Sequence, residues 1–420
     1  MQFIKIAWRN LARNKMRTFI SILAIAVVVV IVIFSRGFMV GVTETIFSLA
    51  INNNSGHARI IDKEYQVKEL ILPLDYTIDG FENGGAGEMI DIIEKLDSVE
   101  YTLPRIRFGA MASINEEFIR MIGVGIDCIA ENKHGAIPGD ISLGRMPEAE
   151  NEIVVGSTLL ENLGKELNDN ITLMFSDAYQ SLRGRTFQIV GVRNSNVSEL
   201  DKNYFYLPLE IAQTMLWLED ELTEIMVFTR NAREANNLKM ELDTLLLNNK
   251  GDKYSTIVWD KADPYVETFQ EADISMNLVY FIFSLMGAVV IVVVLTMIIR
   301  ERTSEIGMMS ALGLKSRDIM KVFVVEGTFM GIIGSLLGVI IGGLVTFYYS
   351  RVGIYIEVFA DMMQDQVELL MEPVLHIGFS SGNLIVAFTL TVIIVIFTCI
   401  FPARQAARLE PIDALHSKDN

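Results

Sequence analysis

The sequence predicts a membrane protein with four transmembrane helices and a large α+β extracytoplasmic domain between the first helix and the second. Three observations carry this expectation. The chain has 420 residues, is 51% hydrophobic and has a mean hydropathy of +0.37. That is too apolar for an ordinary soluble protein and not apolar enough to lie wholly in lipid. Its apolar residues concentrate in four long runs, while the intervening stretch 41–275 is mixed and polar. Charge is uneven too: residues 41–275 hold 20 Lys/Arg against 40 Asp/Glu, and the rest of the chain holds 15 against 12.

Residues 1–17 carry Lys5, Arg9, Arg13, Lys15 and Arg17 and no acid. Ile4, Ala7, Trp8, Leu11 and Ala12 recur opposite them at helical spacing, which predicts an amphipathic helix along the inner membrane face. A signal peptide fits less well. The apolar stretch that follows is longer than the apolar region of such a peptide, and the one small-x-small site, Ser48–Ala50, lies well beyond it. The first span is 18–40, with Arg36 expected to snorkel outward. Three more follow at 276–299, 322–349 and 384–401. The N-terminus, the 300–321 loop and the 402–420 tail are all basic, which places them in the cytoplasm. The domain 41–275 and the loop 350–383 are then outside, in a multi-pass membrane protein.

Within 41–275 the pattern alternates between strand and helix. HARIIDKEY alternates as a strand does, and GEMIDIIEKLDSV places apolar residues at 89, 90, 92, 93 and 96, as an amphipathic helix does. FIRMIGVGID, NEIVVG, NITLMFS and RTFQIVGV are β-branched runs bounded by Gly, Asn and Asp. EIMVFTR, NAREANNLKMELDTLLLNN and YSTIVWD form a strand–helix–strand series. Two β-α-β units flanking a strand-rich middle predict an α+β unit made from both flanks, with a β subdomain inserted near 120–225.

Several chemistries lack their raw material. An acidic aqueous domain excludes a nucleic-acid partner. Cys128 and Cys399 are too far apart in context to pair, and the four histidines have no His or Cys partner three or four residues away, so no metal site is expected. There is no G-x-x-x-x-G-K-[ST], no G-x-S-x-G and no H-E-x-x-H. No catalytic residue is therefore assigned, and the chain is not expected to be an enzyme.

What remains is the short charged segment between the second and third spans. In RERTSEIGMMSALGL, Glu301, Arg302 and Glu305 stand at helical pair spacing, Gly307, Ala311 and Gly313 form a small-residue face, and Ile306, Met308, Leu312 and Leu314 supply apolar knobs. The third span carries Gly327, Gly331, Gly334, Gly338 and Gly342, two small-residue ridges suited to close helix contact against the chain's own spans or a second copy.

The E-R-T-x-E-I-G-x-x-x-A-L-G segment resembles the coupling segment of the FtsX/MacB/Lol-type permeases, the membrane subunits of ABC systems. AWRNLARNKMRTFISILAIA (7–26) is similar to that family's entry helix and PARQAARLEPIDAL (402–415) to its ending. SGHARIIDKEY (55–65) and FQIVGVRNSNVSELDKNYFYLPLEIAQTML (187–216) are most like the lipoprotein-releasing members. The resemblance implies a MacB-like porter domain with its inserted β subdomain, and dimerisation with a second copy or a paralogue. It further implies two copies of a separate cytoplasmic ATPase that binds ATP and magnesium, so that this chain itself holds no cofactor. Arg302, Glu305, Ile306, Gly307, Met308, Ala311, Leu312 and Gly313 would meet that ATPase. The cargo would be a lipoprotein passed to a periplasmic carrier, with Ile33, Phe38, Met39, Met276, Phe281 and Phe283 lining the lipid-filled path. Extrusion of a periplasmic substrate, as in MacB-like permeases, and FtsX-like signal transmission without transport remain open alternatives, as does a membrane-anchored sensor.

Overall fold

The computed structural model describes the chain between Arg9 and Ala406, apart from 263–265, 267–277, 298–307, 309–313, 356–373 and isolated positions elsewhere, chiefly within 279–295. In chain order the principal elements begin with α1 (Lys15–Ala50), a π-helical turn (Ile51–Ser55), β1 (Ala58–Asp62), α2 (Ala86–Ile93), β2 (Tyr101–Ile114) and β3 (Glu117–Ile126). Next come α3 (Cys128–His134), β4 (Ile141–Gly144), β5 (Glu152–Gly156), β6 (Asn170–Ser176), β7 (Leu182–Arg193), β8 (Tyr204–Pro208) and α4 (Leu209–Leu216). The chain continues through β9 (Glu224–Phe228), α5 (Ala235–Asn248), β10 (Tyr254–Val258), α6 (Ser316–Val352), the short pair β11 (Ile354–Tyr355) and β12 (Val374–Leu375), and α7 (Ser381–Ala406). It divides into two compact units: Met1–Glu44, Glu271–Tyr355 and Val374–Asn420 form one, and Thr45–Gln270 with Ile356–Pro373 the other.

In the first unit, α1, α6 and α7 are bound by small-residue contacts. A Cβ on Gly334 would stand 2.8 Å from Ile25 Cβ, and one on Gly338 would stand 2.6 Å from Val29 Cβ and 2.8 Å from Ala26 O. Gly331 faces Val395 of α7 in the same way. Without water to drive association in lipid, such close approach supplies the dispersion contact that holds helices together. Among the described residues three helices are long and apolar enough to cross a membrane, Thr18–Ser55, Arg317–Val352 and Ser381–Ile400. The expected second span lies largely outside the described residues; its described positions, including Leu278, Leu285 and Met297, are helical.

The helices overrun the apolar runs that announced them. A helix ends where its carbonyls find caps and not where hydrocarbon stops. α6 stops at Gly353, whose φ of +76° and N–H bond to Tyr349 O at 3.0 Å close it. Arg36, expected to snorkel outward, donates from Nε to Asn383 Oδ1 at 3.0 Å.

The second unit is one ten-stranded sheet. Its first four strands run in the order β10-β1-β9-β2. β1 is antiparallel to both β9 and β10, and β9 is antiparallel to β2. The segments β1–α2–β2 and β9–α5–β10 are therefore two interleaved split β-α-β units, a ferredoxin-like arrangement. Ala58, Ile60, Ile225 and Val227 face α2 and α5 in the main core, with Met89, Ile93, Leu238, Leu242 and Leu246. From β2 onward the middle strands pair β2-β3-β8-β5-β7-β6 and β6 returns to β2, so they close a six-stranded ring. The inserted strands thus share β2 with the flanking sheet instead of forming a detached one.

Candidate functional site

The end of α1 is where the membrane helix meets the domain. A helix leaves its last four carbonyls without partners, and these carry the negative end of its dipole. Here the sequence INNNS widens the final turn: Gly56 N–H donates to Ile51 O at 2.9 Å, closing the π-helical turn Ile51–Ser55. Gly56 then takes φ +60° and ψ −163°, a conformation open in practice only to glycine. Its backbone lies against Val227, and a Cβ would stand 3.0 Å from Val227 O.

Three buried arginines from three strand positions hold this turn, two of them by its backbone carbonyls. Arg105 Nη1 donates to Asn53 O at 2.6 Å, and Arg107 Nη2 to Asn54 O at 3.3 Å and Asn54 Oδ1 at 3.2 Å. Arg193 Nη2 donates to Asn53 Oδ1 at 2.6 Å, while Asn53 Nδ2 donates back to Leu49 O at 3.0 Å. The two-residue period of a strand puts Leu103, Arg105 and Arg107 of β2 on one face, with Met226 and Glu224 of β9 opposite them. That face receives the asparagine turn, and the other face holds the core against α2 and α5.

Each arginine is held from behind by an acid or a phenol. Arg105 Nε and Nη2 reach Glu131 Oε1 of α3 at 3.0 and 2.6 Å. Arg193 donates to Asp140 Oδ2 at 3.1 and 2.7 Å and to the Tyr206 hydroxyl. Arg107 Nε lies 2.7 Å from Glu224 Oε1, and Glu224 Oε2 also accepts from Arg59 Nη1 at 3.1 Å. Burial alone would raise the Glu224 carboxyl, but Arg107 and Arg59 outweigh it and hold it below the usual carboxylate range. Arg59 in turn makes a two-bond fork to Glu69, at 2.6 and 3.0 Å. These charges have left water, so the geometry is stiff: moving one means unpairing another in low dielectric.

An aromatic cluster completes the joint. Ile51 packs with Leu103, Met226 and Phe228. Tyr101 stacks on Phe228 with centroids 4.7 Å apart. Phe47 meets Trp259 at 5.0 Å, just after β10. The Trp259 backbone N–H donates to His57 O at 3.2 Å, which ties the end of β10 to the residue before β1.

Of the residues expected to meet an ATPase, Met308 is helical and exposed, while Arg302, Glu305, Ile306, Gly307, Ala311, Leu312 and Gly313 lie outside the described residues. Ile33, expected to line a lipid path, is buried beside Gly342 of α6. Phe38 and Met39 are half-buried, Phe281 is exposed, and Met276 and Phe283 lie outside the described residues. Gly327 is buried, and Gly342 approaches the Val30 backbone. Sequence reasoning missed the joint. Its signals were three successive asparagines at the end of an apolar helix, and Arg105 and Arg107 spaced by two among apolar residues. Among the described residues no group of three His, Cys, Asp or Glu side chains is placed to hold a metal ion.

A helix of membrane-spanning length that runs on into an α+β domain, where buried arginines hold its last turn, fits the membrane subunit of a permease. The MacB-like periplasmic core domain family matches residues 18–245, and the FtsX-like permease C-terminal family matches residues 277–411. The chain belongs to the FtsX/MacB-type permease family. It is 22% identical to the pyoverdine export ATP-binding/permease protein PvdT of Pseudomonas fluorescens, over 100% of this chain and 60% of that protein. It is 23% identical to the lipoprotein-releasing system transmembrane protein LolC of Neisseria meningitidis, over 63% of this chain and 65% of that one. With the macrolide export ATP-binding/permease protein MacB of Burkholderia thailandensis it shares 27% identity, over 50% of this chain and 30% of that one. The chain thus spans less than two thirds of each of these relatives.

Proposed function

We propose that this chain is the membrane subunit of an ABC system and works as a lever. ATP-driven movement of a separate cytoplasmic ATPase enters at Arg302–Gly313 and leaves at the extracytoplasmic domain. The observation that carries this reading is the clamped end of α1. At about 1.5 Å per residue a 36-residue helix is ~54 Å long, against ~30 Å of hydrocarbon. It has room to cross the bilayer and still enter the domain, where three arginines fix its end. A flexible linker would dissipate a tilt of α1; this joint passes it into β2, β7 and β9.

The load in this reading is a lipid-anchored protein, released from the outer leaflet of the inner membrane to a soluble carrier. The SGHARIIDKEY and FQIVGVRNSNVSELDKNYFYLPLEIAQTML segments, similar to those of lipoprotein-releasing permeases, support it. The match to PvdT along the whole chain favours a second reading, extrusion of a periplasmic substrate. Both readings place ATP and magnesium on the partner ATPase and pair this chain with a second copy or a paralogue. Co-purification tests the coupling they share. A P-loop ATPase is expected to accompany the chain, and Glu305→Lys or Gly307→Trp to release it or silence its stimulated turnover. Unchanged association and turnover in both variants would overturn the lever. A lipid-modified protein trapped in the nucleotide-free complex selects the first cargo, and a soluble exported compound the second.

A further inference from the structure

Two imidazoles flank Phe228 at the joint, His57 with centroids 5.5 Å away and His134 at 4.8 Å. Both are wired to the connection itself. His134 Nε2 lies 3.3 Å from Asn52 O, which only accepts, so Nε2 carries the proton, and Nδ1 accepts from the Tyr101 hydroxyl at 2.8 Å. His57 Nδ1 accepts the Thr229 backbone N–H at 2.9 Å. Its own backbone N–H donates to Val227 O at 3.0 Å and its carbonyl accepts from Trp259. A proton on His57 Nδ1 would face the Thr229 N–H donor to donor and break that bond, leaving the Thr229 hydroxyl oxygen, 3.1 Å away, to receive it.

We propose that His57 and His134 form a proton-operated latch that holds the joint closed while both rings are neutral and loosens residues 51–57 when the compartment bathing the domain turns acidic. The proposal rests on the joint described above, not on the identity of its cargo. The charged groups facing the two rings oppose one another. Glu100 favours a charged His57, while the second imidazole disfavours it. Glu131 favours a charged His134, while Arg105 disfavours it. For both rings burial is the largest influence and sets them below the ordinary imidazole value of 6.5. With the folded value depressed, the opened state takes the proton first. The latch is therefore at full strength above about pH 6.5 and weakens as pH falls below that value toward the folded one.

Hydrogen exchange of the full-length chain in lipid nanodiscs, without any ATPase, tests this. Between pH 7.5 and 5.5, after correction for intrinsic exchange, protection at 51–57 and at the Thr229 amide is expected to fall, by at most roughly 10-fold if one ring titrates and roughly 100-fold if both do. Amides of β2 and β3 should keep their protection. In the paired change His57→Asn with His134→Gln, the asparagine side chain presents an amide oxygen where the ring Nδ1 now stands, and neither new side chain titrates. That variant should hold protection at 51–57 constant across the same range. Constant protection in the unmodified chain, an equal fall in the paired variant, or loss over the whole sheet at once would each overturn the latch. None of these outcomes depends on nucleotide-driven movement, so failure here and failure of the lever are separately visible.

Discussion

Replacing Arg105 with methionine separates the joint from the fold around it. Arg105 and Glu131 are both buried, with side chains 3% and 1% exposed, and Arg105 also carries the bond to Asn53 O. Removing one member of such a pair leaves the other charge uncompensated and costs about 3–5 kcal/mol. The orphaned Asn53 carbonyl contributes about 1–3 kcal/mol of its own, not additively. Arg105→Met combined with Glu131→Leu removes both charges and leaves only the carbonyl cost. In denaturant titrations of the detergent-solubilised chain, the single variant should lose about 3–5 kcal/mol or more, and the paired variant should regain all but about 1–3 kcal/mol. Hydrogen exchange at 51–56 should stay fast in both. A single variant that costs less than about 1 kcal/mol, or a paired variant with native protection at 51–56, would refute the claim that Arg105 fixes the end of α1.

Two further substitutions probe the frame on either side. Gly338→Leu drives a side chain into Val29 and the Ala26 carbonyl, and should cost about 1–3 kcal/mol as α1 and α6 are forced apart; an unchanged melting temperature in lipid would show that these helices do not need their close approach. Gly56→Val imposes a β-branched side chain on the +60° backbone and meets Val227, so a loss of about 1–3 kcal/mol and faster exchange at 51–57 are expected, while native protection there would mean the turn tolerates another path.

The strands with strong alternation or β-branching are legible in the sequence: β5, β6, β7, β9 and β10 fall where their runs predict, and α2 and α5 where the helical spacing predicts. The longest strand, β2, is not. Pro104 and Gly109 interrupt its pattern, and Arg105 and Arg107 occupy positions that a half-buried strand gives to apolar residues. HARIIDKEY reads as one strand, yet β1 stops at Asp62, whose carboxylate caps the short helix Lys63–Lys68 by accepting from Glu64 and Tyr65 N–H. The joint is hidden for a related reason. Its arginines come from β2 and β7, its acids from α3, β9 and the turn before β4, and its target is a run of asparagines that alone suggests a solvated loop. Only the sheet register brings them together. The membrane contact is easier to read, since Gly334, Gly338 and Gly342, four residues apart, share one face of α6 and meet α1.

The central claim is that movement of the membrane helices reaches the domain through the clamped end of α1. A spin label at Leu143, exposed on β4, measures it most directly, as label-to-label distance between the two copies of the reconstituted ATPase complex. The account predicts that this distance distribution shifts between nucleotide-free and ATP-bound states in the native joint, and that the shift collapses when Arg105→Met and Glu131→Leu are introduced together. The same shift in both proteins would contradict it.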